Sequence, residues 1–465
     1  MEIDSPENSP TTTNENDRLA QTSESPGWFS SHLWPLLGML AILLTGMAFS
    51  FWWNPIVHGV SEWSTPPDLW GTFRDAHYII WSGEGHVYNA STSFVTFPGI
   101  AVLLAPFAAI QQHFHLTESI PVYLMKPTAW YVLGPVDMIC GGVLLFPLDA
   151  LARRLSVTSK RRILLTFLEV VLIWPTVVWW GHPEDTLALA FALTGLMAAL
   201  DRRWVHSACF FALAVVFQPL VVLMVPVVLA YVPVKRWPAF AGIVAVPTVL
   251  LLTPPLIQEW GPTTYAIFKQ PNYPTLNHPT PWLDVAPVVK KGGFVLVGEI
   301  HLVVSHGRRI LEYGPVKVYE GATVAAGPGR VFALVLACAI GIWVAKKKPP
   351  VLQVLWWVAV ALALRCIFEC VMDPYYLLPA LALALVVAFR LGWTRISLTV
   401  LAAAACTWFS YWKTTEWNYY LVVIGLLLLA LAFSWPGNKQ RADDWTPRSS
   451  ADDASAPMPQ PASPL

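Results

Sequence analysis

Apolar stretches long enough to cross a lipid bilayer recur from near one end of this chain to the other. They run approximately over 33–53, 97–111, 128–151, 162–180, 185–200, 205–217, 219–232, 238–256, 331–345, 351–371, 375–392, 396–412 and 418–435. Runs of about 18 residues or more match helices crossing a hydrocarbon core of about 30 Å. The two-residue alternation of a membrane β-barrel is absent, so a helical bundle is the remaining way to satisfy the backbone in lipid. Composition agrees: 55% of the 465 residues are hydrophobic and 12% are charged, against about a quarter charged in a soluble domain. The expected fold is all-α, a polytopic transmembrane bundle of about ten to twelve spans with extracytoplasmic loops.

Polar tails flank the bundle. Residues 1–31 and 436–465 are rich in Ser, Pro, Asp and other polar residues and too poor in apolar ones to fold alone, so both are expected to be disordered. No cleavable signal peptide is expected, and the first apolar run would serve as an anchor. A net charge of +0 gives no reason to expect a nucleic-acid partner. Cys140, Cys209, Cys338, Cys366, Cys370 and Cys406 all lie in apolar segments, where neither a disulfide nor a zinc site is expected.

Basic clusters orient the chain. Arg153, Arg154, Lys160, Arg161 and Arg162 mark one cytoplasmic loop, Lys346 to Lys348 another, and Arg390 and Arg395 a third. The segment 205–232 has Arg202-Arg203 before it and Lys235-Arg236 after it. It reads as a hairpin of two half-length helices meeting at Gln218-Pro219, with both ends cytoplasmic; a single tilted helix is the competing reading. Both termini are then cytoplasmic. Loops 54–96 and 257–330 fall outside, and 97–111, carrying Pro98 and Pro106, reads as a helix dipping into the outer leaflet.

Several residues could carry chemistry. A charge inside a membrane is costly and marks a functional candidate. Asp137 and Glu169 lie in neighbouring segments, and Arg365 and Glu369 are four apart, so they could pair on one helical face. Alternatively, Arg365 could turn its guanidinium to a phosphate. The turn Gly181-His182-Pro183-Glu184-Asp185 could cap a helix, bind a divalent cation or take up a proton. The cation is the one cofactor this pattern would accommodate, and no metal ligand set is assigned. In the first outer loop Asp68 is the first candidate base and Asp75 the second, seven residues apart and on one face if the loop is helical. Gln218, His278, Lys269 and Tyr375 complete the candidates for substrate contact. For each carboxylate, a purely structural role as a helix cap is the rival reading.

The order Pro67-Asp68-Leu69, Ala76, Gly83, Tyr88, Phe97-Pro98 and Leu103-Leu104-Ala105-Pro106 resembles the GT-C glycosyltransferases, in particular actinobacterial polyprenol-phosphate-mannose-dependent mannosyltransferases. The Gly181-His182 turn, the Gln218-Pro219 break and Tyr375-Tyr376 fall in comparable places. The chain departs from the family pattern at Thr72-Phe73, Pro98-Gly99 and Glu184. The resemblance implies a multi-pass enzyme of a bacterial plasma membrane, with Asp68 or Asp75 as catalytic base. It would move a sugar, mannose by analogy, from a polyprenyl-phosphate donor to a cell-envelope lipid or glycan. The rival functions are a transporter or lipid flippase, which also uses buried charges and broken helices, and a non-enzymatic membrane partner.

Overall fold

Leucine, valine, alanine and tryptophan dominate the apolar runs, and almost every run folds as helix. The computed structural model describes residues 28–49, 67–88, 96–114, 127–270, 272, 274, 278–290, 294–305, 308–319, 323–412, 414–437 and 445. The expectations for the tails fall largely outside these residues. At the front, helix α1 (Trp28–Ala48) begins four residues inside the stretch expected to be tail.

Two helices follow, α2 (Pro67–Ser82) and α3 (Gly99–His113), packed side by side. Helix α4 (Pro127–Gly142) runs on into α5 (Leu145–Arg154), and α6 is Ser159–Trp174. Next come α7 (Pro183–Leu200), α8 (Trp204–Phe217), the short α9 (Val225–Leu229), α10 (Trp237–Gln258) and α11 (Trp260–Thr264). The last five are α12 (Gly329–Lys347), α13 (Val351–Phe368), α14 (Leu378–Ala388), α15 (Trp393–Phe409) and α16 (Glu416–Ser434). Among the described residues seven helices are long and apolar enough to cross a membrane, and five apolar helices are shorter. The expected ten to twelve spans therefore divide into seven self-sufficient ones and a set that needs neighbours.

Helices α7 and α14 lie at the centre, buried along nearly their whole lengths. At the periphery α10 and α12 turn Val249, Leu250, Ile257, Val331 and Val335 outward, an apolar surface suited to lipid.

The break at Gln218-Pro219 is present. Gln218 is extended (φ −144°, ψ 108°) between α8 and a 3-10 turn, Pro219–Met224, because Pro219 supplies no N–H and disfavours helix in the residue before it. Beyond the break the chain returns. The Arg236 guanidinium lies 5.6 Å from the centre of the Trp204 ring, and that of Arg202 lies 5.4 Å from the Tyr231 ring. The two ends of the segment thus meet, which supports the hairpin and not a single tilted helix. Its tip supports α3: Thr96 Oγ1 donates to the Phe217 carbonyl at 3.0 Å, and Gly99 packs directly on Val216.

The basic clusters gather at one end of the bundle. Arg154 pairs with Asp201 at 2.6 Å, Arg161 donates to the carbonyls of Phe389 and Leu391, and Arg395 donates to that of Trp435. Each contact ties one helix end to the end of another at the same level.

Among the described residues strand forms three antiparallel pairs. Strand β1 (His278–Pro279) pairs with β6 (Val371–Met372), and β2 (Val288–Lys290) with β5 (Thr323–Val324). Strands β3 (Phe294–Ser305) and β4 (Arg308–Tyr319) form a long hairpin inside loop 257–330. The all-α expectation describes the bundle and omits this hairpin.

Candidate functional site

Local geometry at the end of α6 builds the centre of the site. Pro175 brings no N–H to the helix, and the chain widens into a π-helical turn over Pro175–Trp180. Gly181 then takes a left-handed conformation (φ +74°) that glycine alone adopts without penalty, and its N–H closes on the Val177 carbonyl. Pro183 opens α7, with Glu184 and Asp185 in its first turn, where carboxylates suit the helix dipole. His182 is left between two helix ends with acidic neighbours on one side.

His182 bridges two carboxylates. Its Nδ1–H donates to Glu184 Oε1 at 2.6 Å and its Nε2–H to Asp68 Oδ2 at 3.1 Å. The Tyr375 ring stacks on the imidazole, centroids 3.9 Å apart. Burial opposes the charged form of His182, yet Glu184 and Asp68 together outweigh it and hold the pKa well above the usual histidine value. With both nitrogens facing carboxylate oxygens, an imidazolium is the state that satisfies both. Of the three groups Asp68 faces outward, its side chain 50% exposed against 14% for His182 and 6% for Glu184.

Asp185 organises a second cluster. Gln218 Nε2, at the tip of the broken hairpin, donates to Asp185 Oδ1 at 2.8 Å, and Arg365 Nη1 approaches the same oxygen at 3.4 Å. The Arg365 guanidinium lies 3.5 Å from the centre of the Tyr376 ring, and its Nε has no partner among the described residues. Asp185, Gln218, Arg365 and Leu362 line a small cavity with room for a water molecule.

The anticipated pairing of Arg365 with Glu369 does not form. Glu369 caps α13, and its N–H still bonds the Arg365 carbonyl at 3.0 Å, but its carboxylate turns to another cation. Glu369 instead binds Arg330, whose Nη2 lies 2.7 Å from Oε1 and whose Nε donates at 2.9 Å. Gln270 caps the same guanidinium.

The remaining candidates separate. Asp75 lies on α2 with Asp68, as the helical reading required, but is fully buried while Asp68 is exposed. His278 stacks on Tyr419 (4.0 Å, 3° between planes) and pairs in register with Met372, next to Asp373. Lys269 ends the short turn Tyr265–Lys269 and makes none of the His182 contacts.

Asp373 is a residue the sequence reading did not rank. Burial and then the Asp68 charge push its pKa up to about 7, against the opposing effects of His182 and Arg365. Its carboxylate accepts from the Tyr375 hydroxyl at 3.4 Å. Its position directly before Pro374-Tyr375-Tyr376 was the available signal. For a metal, His182, Glu184 and Asp185 each offer one ligand atom within 4.8 Å of the others. No protein-family model matches this chain, and neither does any curated protein or solved structure.

Proposed function

We propose that this chain is a GT-C type glycosyltransferase of a bacterial plasma membrane. In this reading it moves a sugar, mannose by resemblance, from a polyprenyl-phosphate donor to a lipid or glycan acceptor at the outer face. The observation that carries the reading is the half-exposed Asp68 carboxylate, hydrogen-bonded to a His182 that Glu184 backs from behind. A base must meet its substrate, and Asp68 alone of this trio is open to one. The acceptor hydroxyl would give its proton to Asp68 while its oxygen attacks the anomeric carbon. The bond from that carbon to the phosphate oxygen breaks with inversion, and the polyprenyl phosphate leaves. Arg365, whose Nε has no partner among the described residues and lies beside a cavity, is suited to hold the charge that develops on the phosphate. The gathering of arginines at the opposite end supports an outward-facing site under the positive-inside rule.

Transport is the second reading, favoured by Glu169. This acid is buried within α6 and neither of its oxygens has a partner among the described residues, as expected of an ion-coupling acid. The deciding experiment supplies labelled polyprenyl-phosphate mannose to membranes containing the protein or its Asp68→Asn variant. Transfer by the wild type, lost in the variant at equal expression, is the expected result. No transfer with any of several sugar donors, together with Glu169-dependent uptake of a labelled substrate, would move the assignment to a transporter.

A further inference from the structure

Trp445 is the one aromatic residue between 438 and 465, in a stretch whose Asp, Ser, Pro and Ala content gives it little to bury. Its indole is nevertheless placed, at the basic end of the bundle. Nε1–H donates to Asp201 Oδ1 at 3.1 Å, and the Arg154 guanidinium lies 5.0 Å from the ring centre. Arg154 and Asp201 are themselves paired at 2.6 Å through Oδ2. Three groups therefore close on one another, and each oxygen of Asp201 has its own donor. Asp201 needs both. It caps the C-terminal end of α7, where the helix dipole disfavours a carboxylate, and its side chain is 8% exposed. Arg154, closing α5, answers one oxygen; the tail answers the other.

The chain is held on both sides of the intervening residues. Gln353 Nε2, in the first turn of α13, donates to the Gly437 carbonyl, and the Trp445 ring packs against the main hydrophobic core. The eight residues from one anchor to the other reach at most about 28 Å, so a tail that has let go stays close to its socket. A tether that short gives an effective concentration of about millimolar, and even a contact that is weak between separate molecules is then largely occupied. Asp443 and Asp444 precede Trp445 in the sequence, acids suited to an end where arginines gather. We propose that Arg154 and Asp201 form a docking socket for the chain's own C-terminal segment, keyed by Trp445. The partner this socket fits is an acidic peptide with one tryptophan, whose indole offers a flat face to the guanidinium and an N–H to the carboxylate. The segment that composition marks as disordered is tied down at one residue, and residues 446–465 start from a fixed point at the basic end. The docking stands on these contacts whether or not the chain transfers sugar.

Pulsed electron paramagnetic resonance tests the docking in the full chain, with one copy per lipid nanodisc so that only the chain's own tail can reach the socket. The six native cysteines are replaced. Spin labels at Lys160→Cys, exposed at the basic end, and at Arg448→Cys then report the distance from bundle to tail. One narrow distance distribution is expected. Trp445→Ala should broaden it to that of a free tail. Trp445→Phe keeps a ring for Arg154 but loses the N–H, and should fall between the two. Trypsin gives a second reading on the chain with its cysteines intact, since Lys439, Arg441 and Arg448 flank Trp445. Trp445→Ala should speed cleavage at these sites by about fivefold or more, because proteolysis follows the population of the open form. A broad distribution in the wild type, or one unchanged by Trp445→Ala, would overturn the docking, as would equal cleavage of the two proteins. A narrow distance found only when two copies share a nanodisc would give the socket to a neighbouring copy's tail and overturn docking within one chain.

Discussion

Arg365 is held by a flat aromatic contact with Tyr376 and a single long approach to Asp185, a combination that fits a guanidinium and not an ammonium. Arg365→Lys should therefore lower transfer by about tenfold or more, mainly in kcat, in an assay that separates kcat from KM. The sequence ranked Asp68 ahead of Asp75 as base but set both on one face, because seven residues along a helix return to it. Their difference comes from position along α2. Asp68 stands in the first turn, open at the helix end, while Asp75 stands mid-helix, enclosed where α2 meets α3. Asp75→Ala should cost about 2 kcal/mol of stability, read as a lowered Tm, through loss of a buried polar contact. Asp68→Asn should leave Tm unchanged while abolishing transfer. Reversal of that pattern would exchange the roles of the two carboxylates. The true partner of Glu369 was not legible because Arg330 is 39 residues away in sequence and reaches it only after two helices have packed.

At the scale of elements, the turn between α6 and α7 depends on one left-handed residue. Gly181→Ala should cost about 1 kcal/mol from the φ of +74° alone, and any relief of that strain would tilt His182 away from Asp68. Transfer should then fall by more than the change in Tm explains. The segment before α14 makes a pH prediction. Asp373 has its pKa raised to about 7 in the fold, so the folded chain holds this proton more tightly than the unfolded chain does. The stability it contributes is complete below the ordinary carboxylate pKa and is lost as pH rises through about 7. Asp373→Asn should abolish that decline, and thermal melts from pH 5 to about 8 in both proteins check it. Helices and the Gln218-Pro219 break were legible because length, apolarity and a proline act locally. The β3–β4 hairpin was missed although its signal is present: two β-branched runs flank a two-residue link, His306-Gly307. In a chain dominated by long apolar helices, a strand pair broken by charged and glycine residues is easily taken for loop.

Considered as a whole, the molecule has chemically distinct ends. Arginine contacts pair α5 with α7, α6 with α14, α8 with α10 and α15 with α16 at one end, whereas acids, tyrosines and His182 collect at the other. Charge asymmetry of this kind sets orientation during insertion, so the distribution of arginines determines which face of the membrane the site meets. Two exposed positions report the two ends. Trp412 follows Tyr411, whose hydroxyl accepts from Trp180 at the site end, and Lys347 closes α12 at the basic end. With the six native cysteines replaced, Trp412→Cys in intact cells should react with a membrane-impermeant maleimide. Lys347→Cys should react only after the membrane is opened. The opposite pattern would turn the site toward the cytoplasm, where an outward-delivered polyprenyl-phosphate sugar could not reach it. Labelling of both positions from one side would mean that the chain between α12 and Trp412 crosses the membrane an even number of times, against the separation of the two ends in the fold.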